Sequence, residues 1–93
     1  MTIITTTTED CATIRLSGRF DANCRNDVMA AATAAIAGAA PHVRIDLGNV
    51  EYIDSTALGL LLAIRNGARQ AGKAVSLANA RGPVLQVLSI PSP

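Results

Sequence analysis

The chain has 93 residues, of which 49% are hydrophobic and 16% charged, and this describes one small globular domain spanning 1–93 rather than a disordered chain. Eight basic and seven acidic residues leave a net charge of +1, with the basic ones spread along the chain, so no field forms that would draw in nucleic acid or anionic lipid. The only aromatics are Phe20 and Tyr52, too few for a surface that stacks bases, and no apolar run approaches the about 20 residues that cross a bilayer.

Ile3 to Thr8 is β-branched almost throughout and predicts a first strand, closed by the polar turn Glu9-Asp10. Cys11 to Leu16 alternates, with Ala12, Ile14 and Leu16 on one face, and predicts a half-buried strand hairpinned to the first and closed by Ser17-Gly18. Asp21 to Ala40 is alanine-rich and predicts a helix, with Cys24, Val28, Ala32, Ala35 and Ile36 on its apolar face. Asp21 or Asn23 can cap its start, Asp27 suits its first turn or so, and Gly38 and Pro41 end it.

His42 to Leu47 predicts a third strand with Val43, Ile45 and Leu47 pointing one way, broken by Gly48-Asn49. Val50 to Ile53 returns to the sheet edge. Asp54-Ser55 then opens a second helix, Thr56 to Ala71, stopped by Gly72. Ala74 to Ala78 predicts a fourth strand, and Pro83 to about Ser89 a short last helix before the frayed end Pro91-Ser92-Pro93. The order is β-β-α-β-α-β-α. Alternation after the hairpin implies right-handed crossovers and a partly parallel sheet, hence an α/β domain: a mixed sheet of about four strands with helices mainly on one face.

The chemistry-bearing stretch is Val50-Glu-Tyr-Ile-Asp-Ser-Thr-Ala-Leu-Gly, where a strand end runs straight into a helix. Such a helix start offers free backbone N–H groups and the positive end of the dipole, where a phosphate on Ser55 or Thr56 is well placed. Spacing alone reads Asp54 or Ser55 as a helix N-cap. On a wheel of about 100° per residue, Ala57, Leu60, Leu61, Ile64, Ala68 and Ala71 share a core face. Leu58 and Leu62 fall in a side stripe with Arg65 and Arg69. Either that stripe is a partner surface, apolar anchors with a basic rim, or a neighbouring helix covers the leucines and leaves the arginines wet.

Other chemistries find no support. Cys11 and Cys24 are neither a CxxC pair nor a disulfide framework, and read as small buried hydrophobes. The single His42 is too little for a His/Cys metal site or a triad, and no P-loop or nucleophile elbow is present. No cofactor and no metal are expected. Met1 is followed by neither a basic nor an apolar leader region, so the protein is expected in the cytoplasm.

Ile53-Asp54-Ser55-Thr56-Ala57-Leu58-Gly59 resembles the signature of the STAS domain family, as found in bacterial anti-sigma-factor antagonists. Gly18-Arg19-Phe20-Asp21, Gly72-Lys73 and Pro83-Val84 resemble further family features. The family usually continues past the third helix, whereas this chain stops at Pro93. The resemblance implies a partner switch. The unphosphorylated antagonist binds an anti-sigma factor that is also a Ser/Thr kinase, is released when that kinase phosphorylates it, and is restored by a PP2C-type phosphatase. By matching positions Ser55 is the phosphoacceptor, Thr56 the second hydroxyl, and Asp21 and Asp54 the flanking acids. In this role the chain is a kinase substrate, not an enzyme. The alternative the family offers is a small cytoplasmic STAS subunit regulating another machine, such as a lipid-trafficking ABC transporter.

Overall fold

A computed structural model describes residues 1–80; the expected last helix from Pro83 and the end Pro91–Pro93 lie outside the described residues. The elements are β1 (Thr2–Thr7), β2 (Cys11–Phe20), a 3₁₀ turn (Ala22–Cys24), α1 (Arg25–Ala37), β3 (His42–Ile53), α2 (Ser55–Gln70) and β4 (Ala74–Ala78). They form one four-stranded sheet in the order β1-β2-β3-β4. The hairpin β1–β2 is antiparallel, while β2–β3 and β3–β4 are parallel. Both helices lie in crossovers between parallel neighbours and pack on each other, so they cover the same sheet face.

Strand alternation fixes which face that is. Ala12, Ile14, Leu16, Val43, Ile45 and Leu47 are all buried under the helices. α1 contributes Val28, Ala32 and Ala35, and α2 contributes Ala57, Leu60, Leu61, Ile64 and Ala68. Among the described residues no helix covers the other sheet face. Its rows run Thr6-Thr13-Arg44-Ser76 and Ile4-Arg15-Asp46-Ala78 across the four strands.

Four local differences from the sequence expectation have physical causes. β2 does not close at Ser17-Gly18 but runs on to fully buried Phe20, because Gly18 adopts a φ of 99° that an L side chain resists. Gly48-Asn49 does not break β3. It is a bulge, with Arg15 paired to Asp46 and Ser17 to Asn49, after which β3 stays paired with β2 through Ile53. The first helical stretch is split, since Asp21 caps the 3₁₀ turn and α1 proper begins at Arg25 and ends at Ala37. Finally, Ala71 is exposed at the end of α2 rather than on the core face. Gly72, with a φ of 77°, makes the following turn, and Lys73 Nζ donates to the Gly38 and Ala40 carbonyls, tying that turn to the end of α1.

Candidate functional site

The register of β2 on β3 builds the site. Phe20 is the Cα partner of Ile53 in adjacent parallel strands, and the Asp54 N–H donates to the Phe20 carbonyl at 3.4 Å. Asp21 and Asp54, the next residues in each chain direction, therefore leave the sheet side by side. The carboxyl ends of neighbouring parallel strands are where α/β folds gather functional groups. Each acid then caps the helical segment it opens. Asp54 Oδ1 accepts the Ala57 N–H at 2.8 Å, and Asp21 Oδ1 accepts the Asn23 N–H at 3.0 Å.

Ser55 is the first residue of α2 and Thr56 the second, and both are exposed. Asp54 being the cap, the Ser55 hydroxyl makes no hydrogen bond among the described residues. Around α2, Ser55, Gly59, Leu62 and Asn66 recur at i, i+4, i+7 and i+11, so they run along one line, and all four are exposed. Leu62 keeps 42% of its surface exposed, whereas Leu58 is half-buried. Arg65 and Arg69 are exposed beside that line. The surface that contains Ser55 is thus continuous with Leu62 and the two arginines, with Leu58 at its margin.

Two features of the site escape a reading of the sequence. Arg19 reaches over the exposed ring of Tyr52, its Cζ 4.6 Å from the ring centre, and its Nε lies 3.8 Å from Asp21 Oδ2. This puts a cation beside one of the two acids. A second register shift, with Gly18 paired to Val50 and Arg19 to Tyr52, brings Tyr52 across from Arg19, and such shifts leave no periodic trace. On the other flank, Arg25 from α1 lines a cleft of about 210 Å³ with Thr56, Gly59, Leu60 and Ala63 of α2. A Cβ at Gly59 would meet nothing within 4 Å, so it is openness toward solvent, not close packing, that this glycine supplies.

Cys24 is buried under the Asp21 turn. Its Sγ accepts the Asp21 N–H at 3.3 Å and donates toward the Asp21 carbonyl at 3.1 Å, completing the cap with a thiol where a carboxylate or amide commonly stands. Among the described residues no three His, Cys, Asp or Glu side chains converge to hold a metal ion, and no helix is long and apolar enough to cross a membrane.

Comparison with known proteins shows the family. A family model described as "Mlab, STAS domain" matches residues 3–91. A STAS-domain containing protein of Pseudomonas aeruginosa is 37% identical over 78 residues, covering 84% of this chain and 76% of the relative. Among solved structures, the unphosphorylated anti-sigma factor antagonist SpoIIAA superposes with a TM-score of 0.77 at 21% identity, covering 97% of this chain and 84% of that one. An anti-sigma factor antagonist from Mycobacterium paratuberculosis gives 0.75 at 25% identity, covering 94% of this chain and 73% of that one. With a family model spanning nearly its whole length and a relative well above 30% identity, the chain belongs to the STAS domain family.

Proposed function

We propose that the protein is an anti-sigma-factor antagonist in a phosphorylation-controlled partner switch, with Ser55 as phosphoacceptor. The observation that carries this reading is the exposed Ser55 hydroxyl at the first position of α2, which makes no hydrogen bond among the described residues because the preceding Asp54 does the capping. The description of the Mycobacterium relative as an antagonist supports it. Unphosphorylated, the surface of Ser55, Leu62, Arg65 and Arg69 docks on an anti-sigma factor of the Ser/Thr kinase type, with Leu58 at its edge. Phosphate adds about −1.5 to −2 charge next to Asp21 and Asp54. The helix N–H groups let the fold hold that charge, while the partner meets like-charge repulsion and desolvation together. A PP2C-type phosphatase resets the switch. Thr56, one residue on, is the second choice of acceptor.

The test compares binding of wild type, Ser55→Ala and Ser55→Asp to the cognate kinase, with the phosphate mapped by mass spectrometry after incubation with ATP. The reading expects one phosphate on Ser55, undiminished binding by Ser55→Ala and weakened binding by Ser55→Asp. Equal affinities for the two variants, with phosphate on Thr56 or nowhere, would overturn it. A second reading, a STAS subunit regulating an ATPase such as that of a lipid-trafficking ABC transporter, is favoured by one observation: the matching family model is named for Mlab rather than for an antagonist. A pull-down that recovers a transporter ATPase instead of a histidine-kinase-like ATPase decides for it.

A further inference from the structure

The opposite edge of the molecule presents a surface that the switch does not use. Among the described residues β1 is an edge strand, hydrogen-bonded on one side only, to β2. Its sequence is Thr-Ile-Ile-Thr-Thr-Thr, paired with β2 without a register shift, and every residue but Ile3 is exposed. Natural edge strands are normally guarded by a lysine, a proline, a bulge or an inward charge, because their free N–H and C=O groups template pairing. β1 has none of these. It is also uncharged and β-branched throughout, the composition that pairs most readily.

The layer above continues this uncharged strip. α1 packs over β1 and β2, and from Val28 to Ala37 it carries no charge. Its Ile36 side faces α2, since a Cβ on Gly67 would lie 3.8 Å from Ile36 Cδ1. At about 100° per residue the flank turned away from α2 carries Ala31 and Ala34, with Asp27 in its first turn.

We propose that β1 pairs antiparallel with β1 of a second copy about a two-fold axis, making a homodimer with one continuous sheet. A self-pairing surface sets each group near its own equivalent, and a strip without charge meets no like-charge cost in doing so. Side chains of direct cross-strand partners share a face, so two-fold partners in β1 have numbers of equal parity. The register that sets Ile4 on Ile4 of the second copy, with Thr2 on Thr6 and Ile3 on Thr5, takes Ile4 off water; alone it is 52% exposed. The acidic turn Glu9-Asp10 falls beyond the paired stretch. The helices fit as well. A helix about 10 Å across covers two strands about 4.8 Å apart, so two α1 helices over adjoining β1–β2 pairs lie about 10 Å apart, a normal packing distance for alanine flanks. In the antiparallel arrangement Asp27 meets the far end of the other helix, not its own equivalent. The α2 helices stay on the two outer flanks, so each dimer displays two Ser55 surfaces.

The test is sedimentation equilibrium on the full chain across concentration, with Ile4→Lys, Ile4→Glu and their equimolar mixture. Wild type should dimerise reversibly. At concentrations where wild type is monomeric each single variant should melt like wild type, each should weaken the dimer at least about tenfold, and the mixture should regain it, because Lys then faces Glu across the axis. Ser55→Asp should leave the dimer untouched, so the result does not depend on the switch reading. A wild type that stays monomeric to about 1 mM would overturn the proposal and leave the β1 edge to a strand of another protein. Charged variants that dimerise as wild type does, or a mixture that stays monomeric, would overturn it equally.

Discussion

The carboxylates at two places in this sheet accept backbone N–H groups, yet they face water differently. On the sheet face that no described helix covers, Asp46 is closed in: it accepts the Gly48 N–H at 2.9 Å and Asn79 Nδ2–H at 3.1 Å on one oxygen, and Arg15 Nε at 3.4 Å on the other. It therefore pins the β3 bulge to the end of β4, where Asn79 holds a φ of 61°. At the strand ends Asp21 and Asp54 are half-buried and each holds one helix-start N–H, with Asp21 Oδ2 also 3.8 Å from Arg19 Nε. A carboxylate saturated by donors is a structural clamp. One that holds a single helix-start N–H keeps acceptor capacity and contributes its charge to the surface around it.

The largest effect comes from beneath the strand-end site. Leu61 is 4% exposed on the core side of α2, and Leu61→Asp buries an unpaired charge at a cost of several kcal/mol. A circular-dichroism melt should show no cooperative transition, or one far below wild type. Leu62→Asp, one residue on and exposed, should leave the melt nearly unchanged; similar melts for both would mean that the core and outer faces are misassigned.

The Asp46 clamp comes next. Asp46→Ala leaves the Asn79 amide and the Gly48 N–H without their acceptor and should cost about 2 kcal/mol in denaturant unfolding. The donors on Asp46, the Gly48 N–H foremost, then Asn79 and Arg15, hold its carboxyl below the usual carboxylate range and outweigh the opposing effect of burial. A carboxyl more acidic when folded stabilises fully above its unfolded pKa, and the contribution fades as pH falls through the folded pKa. Wild type should therefore lose melting temperature on acidification from about pH 5 to pH 2, and Asp46→Asn should lose less over the same window. Parallel curves would show that Asp46 is not clamped as described.

This contrast also marks what the sequence made legible. Periodicity reached the core: Ala12, Ile14 and Leu16, Val43, Ile45 and Leu47, and the α2 residues from Ala57 to Ala68 all lie where alternation and the helical wheel put them. Asp21 and Asp54 were legible as caps because capping depends on residue type and a spacing of two or three residues. The Asp46 clamp was not, since it joins residues 31 to 33 positions apart through a bulge. Arg19 over Tyr52 and Arg25 beside Thr56 were hidden for the same reason: both need the register or a helix–helix contact, which no local pattern carries.

At the strand ends the effects are smaller. Asp54→Ala removes the cap on the Ala57 N–H and should cost about 1 kcal/mol, fraying the first turn of α2. Asp54→Asn or Asp54→Ser, which keep an acceptor, should restore most of it. A loss as large as that of Asp46→Ala would erase the distinction between the two regions.

The smallest effect belongs to Ser55 itself. An N-cap serine replaced by alanine costs about 1 kcal/mol. Here the cap is Asp54, the Ser55 hydroxyl is exposed and makes no hydrogen bond among the described residues, and alanine is the better helix former. Ser55→Ala should therefore shift unfolding by less than about 0.5 kcal/mol, in either direction. The comparison with Asp54→Ala is sharpest on one denaturation series run for both, since the two residues are adjacent and differ only in which one holds the helix start. If Ser55→Ala is the costlier of the two, the serine is the cap, its hydroxyl is engaged in the fold, and the surface chemistry assigned to it loses its basis. If it is neutral, any change in partner binding by Ser55→Ala or Ser55→Asp reports on the surface and not on the stability of α2.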